Sequence, residues 1–439
     1  MNIFLKSKIL KQLVATLMIS FLVCVVTGPS GSPTAPASGF TGSFNNKSSF
    51  FGIFSAPRWT LFVFLGLLVY VSFRIKLKYS ENVSSFTDKV LFIPRKISSN
   101  QSTRRVTIGA LVVFSLILPK IVTDHFWQTV LVSQIAVYVL LALGLNVVTG
   151  FAGLLDLGFV AFYAVGAYAT AWATGSLPLP ALFGIHIDPF FAIPVAIGFA
   201  MIAGIILGIP TLRLRGDYLA IVTLGFGEII TLFANNLYGI TGGALGSNQI
   251  PHFAINIGPV KYAWGLAPVP YYYLTLVFVV LFIIIFSSLE HSRVGRSWTA
   301  IREDEVAAES VGINPLKYKV MAFAIGAASA GFAGVITAAQ SNFINPASFT
   351  LYVSINVLVL VIFGGMGSIA GVVFGAVFIQ AVSMYLIHTP PSGYQPQDLY
   401  IYIGALLVVM MIFRPGGLIP AKRRGRSTVH AKVQVTEGS

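Results

Sequence analysis

The segment that decides the fold reads EHSRVGRSWTAIREDEVAAESVGINPLKYK and spans Glu290–Lys319. It holds ten acidic and basic residues, whereas only Glu228, Lys261 and Asp398 carry a charge in the remainder of residues 218–413. A polar segment between long apolar runs cannot lie in the hydrocarbon of a bilayer, where each charge is expensive. We therefore interpret it as a docking element on a membrane face that receives force from a partner.

Composition sets the class of the protein. The 439 residues are 56% hydrophobic and only 10% charged, and their mean hydropathy is +0.83. A soluble surface needs more charge than this, and many runs reach the ~20 apolar residues that a helix needs to cross a bilayer. We predict an all-α polytopic membrane protein. The single cysteine, Cys24, excludes a disulfide framework within the chain and any cysteine-rich metal site.

About twelve membrane-spanning helices are predicted, in three regions. Residues 1–105 form a two-helix extension whose basic linker, 74–105, leads into a main body of ten helices over 106–420, and 421–439 form a basic tail. The core spans are predicted near 106–121, 129–149, 153–174, 189–212, 217–238, 270–289, 319–340, 351–364, 369–388 and 400–413. The start, 1–27, fits either a signal peptide or a retained helix, and a retained helix is favoured because no clear A-x-A cleavage site follows.

The distribution of basic residues predicts the orientation. With twelve spans and the N-terminus inside, 24 of the 28 Lys and Arg residues fall in cytoplasmic segments. Cytoplasmic loops of membrane proteins carry such an excess. Both termini and the 290–319 segment are therefore predicted to be cytoplasmic, and the net charge of +14 reflects topology instead of nucleic-acid binding.

Two acids and a glycine-rich break are candidates for a transport path. Glu228 lies well inside a predicted helix, and Asp156 lies near the start of another. Each could line or gate an aqueous path, or could be structural, with Asp156 capping a helix and Glu228 bonded to a neighbouring helix or protonated. The run FGGMGS (363–368) would break a helix, and non-helical backbone at membrane depth survives only against protein or water. Its candidate path residues are Gly364, Gly365 and Gly367.

Motifs for catalysis are missing from the sequence. It contains no G-x-x-x-x-G-K-[ST], no H-E-x-x-H and no G-x-S-x-G. We predict that the chain is not an enzyme, that it uses no cofactor or metal, and that any ATP is hydrolysed by a partner. An ion-coupled carrier that uses Glu228 stays open. Within the polar segment, Ser297–Val311 is predicted to be one short helix that Gly312 ends, although charge runs are often only solvated loops.

At this segment and at several others the sequence resembles LivM-type permeases, the membrane subunits of ATP-driven importers for branched-chain amino acids. The strings are AIREDEVAAESVGINP (300–315), LRLRGDYLAIVTLGFGEII (212–230), ALGLNVVTGFAGLLDLG (142–158), GGMGS (364–368) and FRPGGLIP (413–420). The resemblance covers roughly residues 106–420, and the two extra N-terminal spans are similar in layout to the same subgroup.

The resemblance implies an assembly in the inner membrane. Its other members would be a LivH-type second permease subunit, two cytoplasmic ATP-binding subunits and a periplasmic amino-acid-binding protein. It identifies 290–319 as the coupling loop that meets the ATPases. The implied coupling residues are Arg302, Glu303, Asp304, Glu305, Ala307, Ala308 and Gly312.

One segment departs from the family pattern. Where the family usually has Thr-Gly-Gly-Pro-Asn-Gly, this chain has TGGALG (241–246), and the following external loop, 247–269, is short. Both differences lie on the side where a binding protein would dock. Urea and short amides therefore remain rival substrates to leucine, isoleucine and valine.

Overall fold

The computed structural model describes residues 112–180, 187–211, 217–257, 260–389 and 416–420, with scattered positions between 399 and 410. The two predicted N-terminal spans, the 74–105 linker, the 421–439 tail and most of the predicted 400–413 span lie outside these residues. The chain separates into two compact units. The features discussed below, which end at Tyr385 and resume at 416–420, belong to one of them.

The described chain is mostly helical. We label its main helices in chain order, leaving out single turns such as Tyr238–Thr241. They are α1 (Val112–Ile121), α2 (His125–Phe151), α3 (Val160–Ala173), α4 (Pro189–Thr211), α5 (Asp217–Asn236), α6 (Pro268–His291), α7 (Arg293–Glu303), α8 (Glu305–Ser310), α9 (Pro315–Ser341), α10 (Leu351–Gly364) and α11 (Ile369–His388).

Seven of these helices are long and apolar enough to cross a bilayer, namely α2, α4, α5, α6, α9, α10 and α11, and the span that contains α10 begins at Pro346. Helices α1 and α3 are apolar but shorter. The prediction of a mostly helical polytopic protein is confirmed. The count of twelve spans and the orientation of the termini stay predictions.

Two small antiparallel sheets correct the all-α prediction. Strand β1 (Ser247–Asn248) pairs with β4 (Phe343–Ile344), and β2 (Ala254–Ile257) pairs with β3 (Val260–Ala263). Backbone groups in loops need hydrogen-bond partners, and pairing two extended loop segments supplies them. Pairs this short leave no strand pattern in the sequence, so the prediction missed them.

Helix α9 is the centre of the packing, with α2, α3 and α4 around it. A Cβ added to Gly326 would lie 2.8 Å from the carbonyl oxygen of Gly144 on α2, and one added to Gly334 would lie 2.5 Å from the backbone nitrogen of Ala167 on α3. Helices can approach this closely only where side chains are absent. Close van der Waals packing of this kind replaces the hydrophobic effect, which is weak between helices in lipid.

The predicted span 153–174 begins later than the sequence indicated. Residues 152–159 are not regular helix, and α3 starts at Val160. Gly153 has φ +73°, and Asp156 folds back to accept a hydrogen bond from the backbone N–H of Gly158. The apolar character of this stretch concealed the turn, because hydropathy does not distinguish a buried turn from a buried helix.

The connections between helices gather at two ends of the unit. At one end the segments 146–158, 293–319, 364–368 and 416–420 contact one another. At the opposite end β1 meets β4, and the Ser247 hydroxyl donates to the carbonyl oxygen of Ser176 at 2.8 Å. Connections at two opposite ends are expected when successive helices cross a membrane in opposite directions.

We predict that Gly334→Ala destabilises the unit by roughly 1–3 kcal/mol, because the added methyl overpacks the α9–α3 contact. The measurement is the thermal unfolding midpoint of the detergent-solubilised protein. Gly198→Ala on α4 is the matched control, since a Cβ there meets nothing within 4 Å. Equal midpoints for the two variants would contradict a packing role for Gly334.

Candidate functional site

The polar segment folds as two helices against the end of the helical unit. Helix α7 starts after Ser292, whose hydroxyl accepts hydrogen bonds from the backbone N–H groups of Val294 and Gly295. Its buried residues include Gly295, Trp298 and Ile301, three residues apart, which is the spacing of one helix face. The amphipathic pattern therefore lays α7 along the unit with its other face in solvent.

Trp298 anchors α7 from its buried face. The side chain is fully buried, and its indole Nε1–H donates to the carbonyl oxygen of Tyr318 at 2.7 Å. Its ring stacks on Phe151 at the end of α2, with 6.4 Å between ring centroids. One aromatic side chain thus joins α7 to both α2 and α9.

Asp304 divides the segment, which corrects the prediction of a single helix over Ser297–Val311. Its backbone is extended, with φ −158° and ψ 112°, and its carboxylate accepts from the backbone N–H groups of Val306 and Ala307. A short acidic side chain is better placed at a helix N-cap than inside a helix, because it satisfies N–H groups that have no partner in the helix. Helix α8 therefore begins anew at Glu305.

An ion pair fixes α8 to α9. The Lys319 Nζ lies 2.7 Å from a carboxylate oxygen of Glu305, and the two side chains are 5% and 25% exposed. Ala308 is buried beside this pair. A nearly buried lysine needs such a partner, since an unpaired charge in this position would be strongly unfavourable.

The other face of the segment is open to solvent. Glu303, Asp304 and Ala307 are exposed, and so is the apolar side chain of Val311, at 74%. Gly312 ends the segment with φ +84°, as the sequence predicted for a helix stop, and space around it is open. The surface therefore combines exposed acids with exposed small and apolar groups.

Arg302 reaches from α7 to the end of α2. Its guanidinium NH1 donates to the carbonyl oxygen of Gly150, and its aliphatic stem lies where a side chain on Gly153 would be. Sequence reasoning grouped Arg302 with residues that meet a partner protein. Arg302 is exposed and also bonds within its own chain, so this contact is additional to the partner contact that the resemblance implies.

The glycine-rich break forms the turn between α10 and α11. Gly365 and Gly367 have φ values of +119° and +85°. The following exit segment holds the turn, because the backbone N–H groups of Leu418 and Ile419 donate to the carbonyl oxygens of the last two α10 residues at 2.9 and 3.0 Å. The backbone N–H of Gly367 donates to Asn146 Oδ1 at 2.8 Å. The glycines of this turn are buried, and its backbone groups bond to other segments of the chain.

Asp156 is completely buried in the turn before α3. Its Oδ1 accepts from the Gly158 backbone N–H at 2.8 Å, and its Oδ2 has no hydrogen-bond partner among the described residues. The neighbouring backbone N–H of Leu157 donates to Thr223 on α5. Asp156 thus holds the turn before α3 and is not the helix cap that the sequence left open, because the N-cap of α3 is Phe159, with no side-chain hydrogen bond. The unpartnered oxygen leaves capacity for a further donor.

Glu228 lies on the face of α5 that points away from the unit. It is exposed, and it lies eleven residues from one end of this helix and eight from the other. Tyr218, Ile221 and Leu232 are exposed along the same face. A Cβ on Gly225 would meet nothing within 4 Å, so the surface beside Glu228 is open. The hydrogen bond to a neighbouring helix that the sequence left open is not among the bonds of the described chain.

Sequence reasoning missed Asn146 as a site residue, and it passed over Trp298 and Lys319 within the quoted segment. Asn146 was visible as a polar residue in an apolar run, which is a usable signal in a membrane helix. In the residues that the structure describes, no three His, Cys, Asp or Glu side chains come together as a metal site.

Comparisons with a family model and with individual proteins indicate the same family. Residues 129–413 match the family described as the branched-chain amino acid transport system permease component. The chain is similar to the high-affinity branched-chain amino acid transport system permease protein LivM of Escherichia coli K12, at 36% identity over 84% of this chain and 87% of the relative.

More distant relatives are also found. A probable branched-chain amino acid transport permease, LivM of Methanocaldococcus jannaschii, is 27% identical over 65% of this chain and 91% of its own. The permease protein LivH of Escherichia coli K12 is 29% identical over 30% of this chain and 41% of its own. No solved structure matches.

We predict that Glu305→Gln destabilises the docked segment by roughly 1–3 kcal/mol, because Lys319 keeps its charge in a buried position without a partner. Hydrogen exchange of the α8 backbone amides in the purified protein measures the loss. Glu309→Gln is the control, since Glu309 is an exposed acid of the same helix. The docking role of the ion pair would be wrong if both variants exchanged at the same rate.

Proposed function

Because the chain belongs to the branched-chain amino acid permease family, we propose that it is a membrane-spanning permease subunit of an ATP-driven importer. Its substrates are leucine, isoleucine and valine, and it acts in the inner membrane. The observation that carries this proposal is the similarity to the LivM protein of Escherichia coli across most of both chains. The match includes the polar segment, whose two helices form an outward surface.

Twelve spans with both termini cytoplasmic complete the topology that we propose, with an extension over 1–105, a core over 106–420 and a tail over 421–439. The clustering of 24 of the 28 Lys and Arg residues in the proposed cytoplasmic segments supports this orientation. In that orientation the end of the unit that carries α7 and α8 faces the cytoplasm.

Three kinds of partner are part of the proposal. The first is a LivH-type second permease subunit, which the relationship between this chain and LivH supports. Two cytoplasmic ATP-binding subunits supply energy, since the sequence has no P-loop. A periplasmic amino-acid-binding protein delivers the substrate to the end that carries the two small sheets.

The exposed surface of the polar segment is the contact that we propose for the ATP-binding subunits. Its exposed residues are Arg302, Glu303, Asp304, Ala307 and Gly312, and the half-buried Glu305 and buried Ala308 support them from within. Because Trp298 and the Glu305–Lys319 pair fix both helices to the unit, a push on this surface moves α9 with it. Rigid-body coupling of this kind can switch access between two sides of a membrane.

The exposed face of α5 is the wall that we propose for the transport path. A carboxylate near the middle of a span costs at least a few kcal/mol against lipid, so the Glu228 side must meet water or protein. A path between this chain and a second permease subunit provides both. In this proposal Asp156, Gly364, Gly365 and Gly367, which are buried, lie behind the path wall at its cytoplasmic end.

Reconstitution tests the function directly. The purified complex in proteoliposomes should take up leucine when ATP and the binding protein are present, and uptake should stop without the ATP-binding subunits. If excess urea or acetamide inhibits leucine uptake, these compounds, and not the amino acids, would be assigned as the substrates. Leucine uptake by this chain alone, driven by an ion gradient, would instead establish the ion-coupled carrier.

We predict that Gly312→Arg inserts normally but loses most leucine uptake, because a long cation enters the contact surface and a bulky residue disfavours φ +84°. Uptake in proteoliposomes measures the effect. Gly312→Asn is the matched control, because asparagine tolerates the left-handed region. Full uptake by the arginine variant would remove Gly312 from the docking surface.

We also predict that Glu228→Gln lowers the maximal rate of leucine uptake about tenfold, the effect of losing roughly 1.4 kcal/mol of favourable interaction. The thermal unfolding midpoint should stay near that of the parent protein, because Glu228 is exposed. Leu232→Ala, on the same face, controls for general disturbance of α5. A variant that transports normally would return Glu228 to a structural role.

A further inference from the structure

We infer that Arg302 and Asn146 form a relay through the last turn of α2, so that movement of α7 repositions the Gly365–Gly367 turn between α10 and α11. The inference rests on the proposed coupling function and adds Asn146 and Gly150 as positioning residues. It also gives Arg302 a task inside the chain, separate from contact with an ATP-binding subunit.

The first contact of the relay joins α7 to α2. The guanidinium of Arg302 donates to the carbonyl oxygen of Gly150, one residue before the last residue of α2. Carbonyl groups in the last turn of a helix lack intrahelical partners, and a cation there is favourable. The stem of Arg302 also fills the space beside Gly153, which has no side chain, so the arginine is held along its length.

The second element of the relay is a short π-helical turn. Residues Asn146–Phe151 form the wider π-helix and are all buried. Such turns are rare and occur frequently at functional sites. Because Asn146 and Gly150 are both in this single turn, force applied at one reaches the other through continuous backbone.

The third contact joins α2 to the glycine turn. Asn146 is 1% exposed, and its Oδ1 accepts from the Gly367 backbone N–H at 2.8 Å. A Cβ on Gly150 would lie 2.1 Å from this Oδ1 and 2.5 Å from the Gly367 nitrogen. Gly150, Asn146 and Gly367 therefore meet at one point, and Gly150 is also where Arg302 binds.

The polar balance at this point supports a role beyond packing. The Asn146 Nδ2 is buried and has no hydrogen-bond partner among the described residues. A buried donor without a partner costs free energy, and such groups in native structures call for a reason. The reason that fits here is that Oδ1 accepts the Gly367 N–H and so holds a turn whose glycines have no side chains to do this.

The relay is distinct from the route through α9. Trp298 and Lys319 bond the polar segment to α9, and Trp298 also stacks on Phe151 of α2. Arg302 instead bonds the Gly150 carbonyl, beside the bond from Gly367 to Asn146 in the turn between α10 and α11. One push on the docking surface can therefore act on two groups of helices. Loss of the relay should leave docking intact and lower the amount of substrate moved per ATP.

The test is a double-mutant cycle on the complete importer in proteoliposomes, with leucine uptake per ATP hydrolysed as the readout. Arg302→Ala and Asn146→Ala should each lower this ratio about tenfold, within the range of mutations along a coupling route. The double variant should be no worse than either single one, because both remove the same connection. Arg296→Ala, an exposed arginine on the same helix, should keep the parental ratio.

Conservative variants separate positioning from folding. Asn146→Asp retains an acceptor for the Gly367 N–H and should recover much of the ratio, as should Arg302→Lys in part. A double variant about a hundredfold below the parent, the product of two independent losses, would overturn the relay. So would parental ratios in both single variants.

Hydrogen exchange gives a second readout that needs only Arg302→Ala. In the complete importer, this variant should speed exchange at the amides of residues 365–368, although Arg302 contacts Gly150 and Gly153 instead of that turn. Unchanged exchange there would overturn the relay even if the Asn146 variants failed to fold. Failure of the proposed function would look different, because the parent complex itself would then show no ATP-dependent leucine uptake.

Discussion

Close contact between helix backbones is the constraint on which this structure depends. In lipid, apolar side chains gain little by leaving one apolar surface for another, so helices associate where small residues allow dense packing. Helix α9 meets this condition on several sides, and 78% of its most apolar 18 residues are buried. Its glycines sit against the backbones of α2 and α3. The central position of α9 follows, and with it the ability of the docked α7–α8 segment to act on the rest of the unit.

Sequence alone predicted the helical class, the main spans and the polar segment, since each depends on local composition. It placed the stop at Gly312 because a glycine after a helix-forming run is a strong local signal. It missed the break at Asp304, because an acid inside a charged run fits a helix surface or an N-cap equally well. The turn before α3 was missed for a related reason, since burial made it as apolar as a span.

The candidate site shows a sharper division. Residues with an anomalous type for their surroundings, such as Glu228 and Asp156, could be selected from the sequence. The pairing of Glu305 with Lys319, or of Asn146 with Gly367, could not be selected from the sequence, because each joins separate helices or turns. Asn146 and Gly367 are 221 positions apart. Long-range partners depend on the packing of whole helices. Arg302 illustrates the difference, since the family resemblance implied a contact with another protein, and only the structure shows its bond to Gly150 within the chain.

The β1–β4 pair has a mechanical consequence for helix α9. It closes the loop after this helix onto the loop before α6, and Ser247 adds a bond to Ser176. The 27 residues of α9 rise about 40 Å, at roughly 1.5 Å per residue. If the stapled end acts as a pivot, a tilt of about 5° would move the opposite end by about 3.5 Å over that length. The two-residue strands β1 and β4 would then be the fixed point about which α9 tilts.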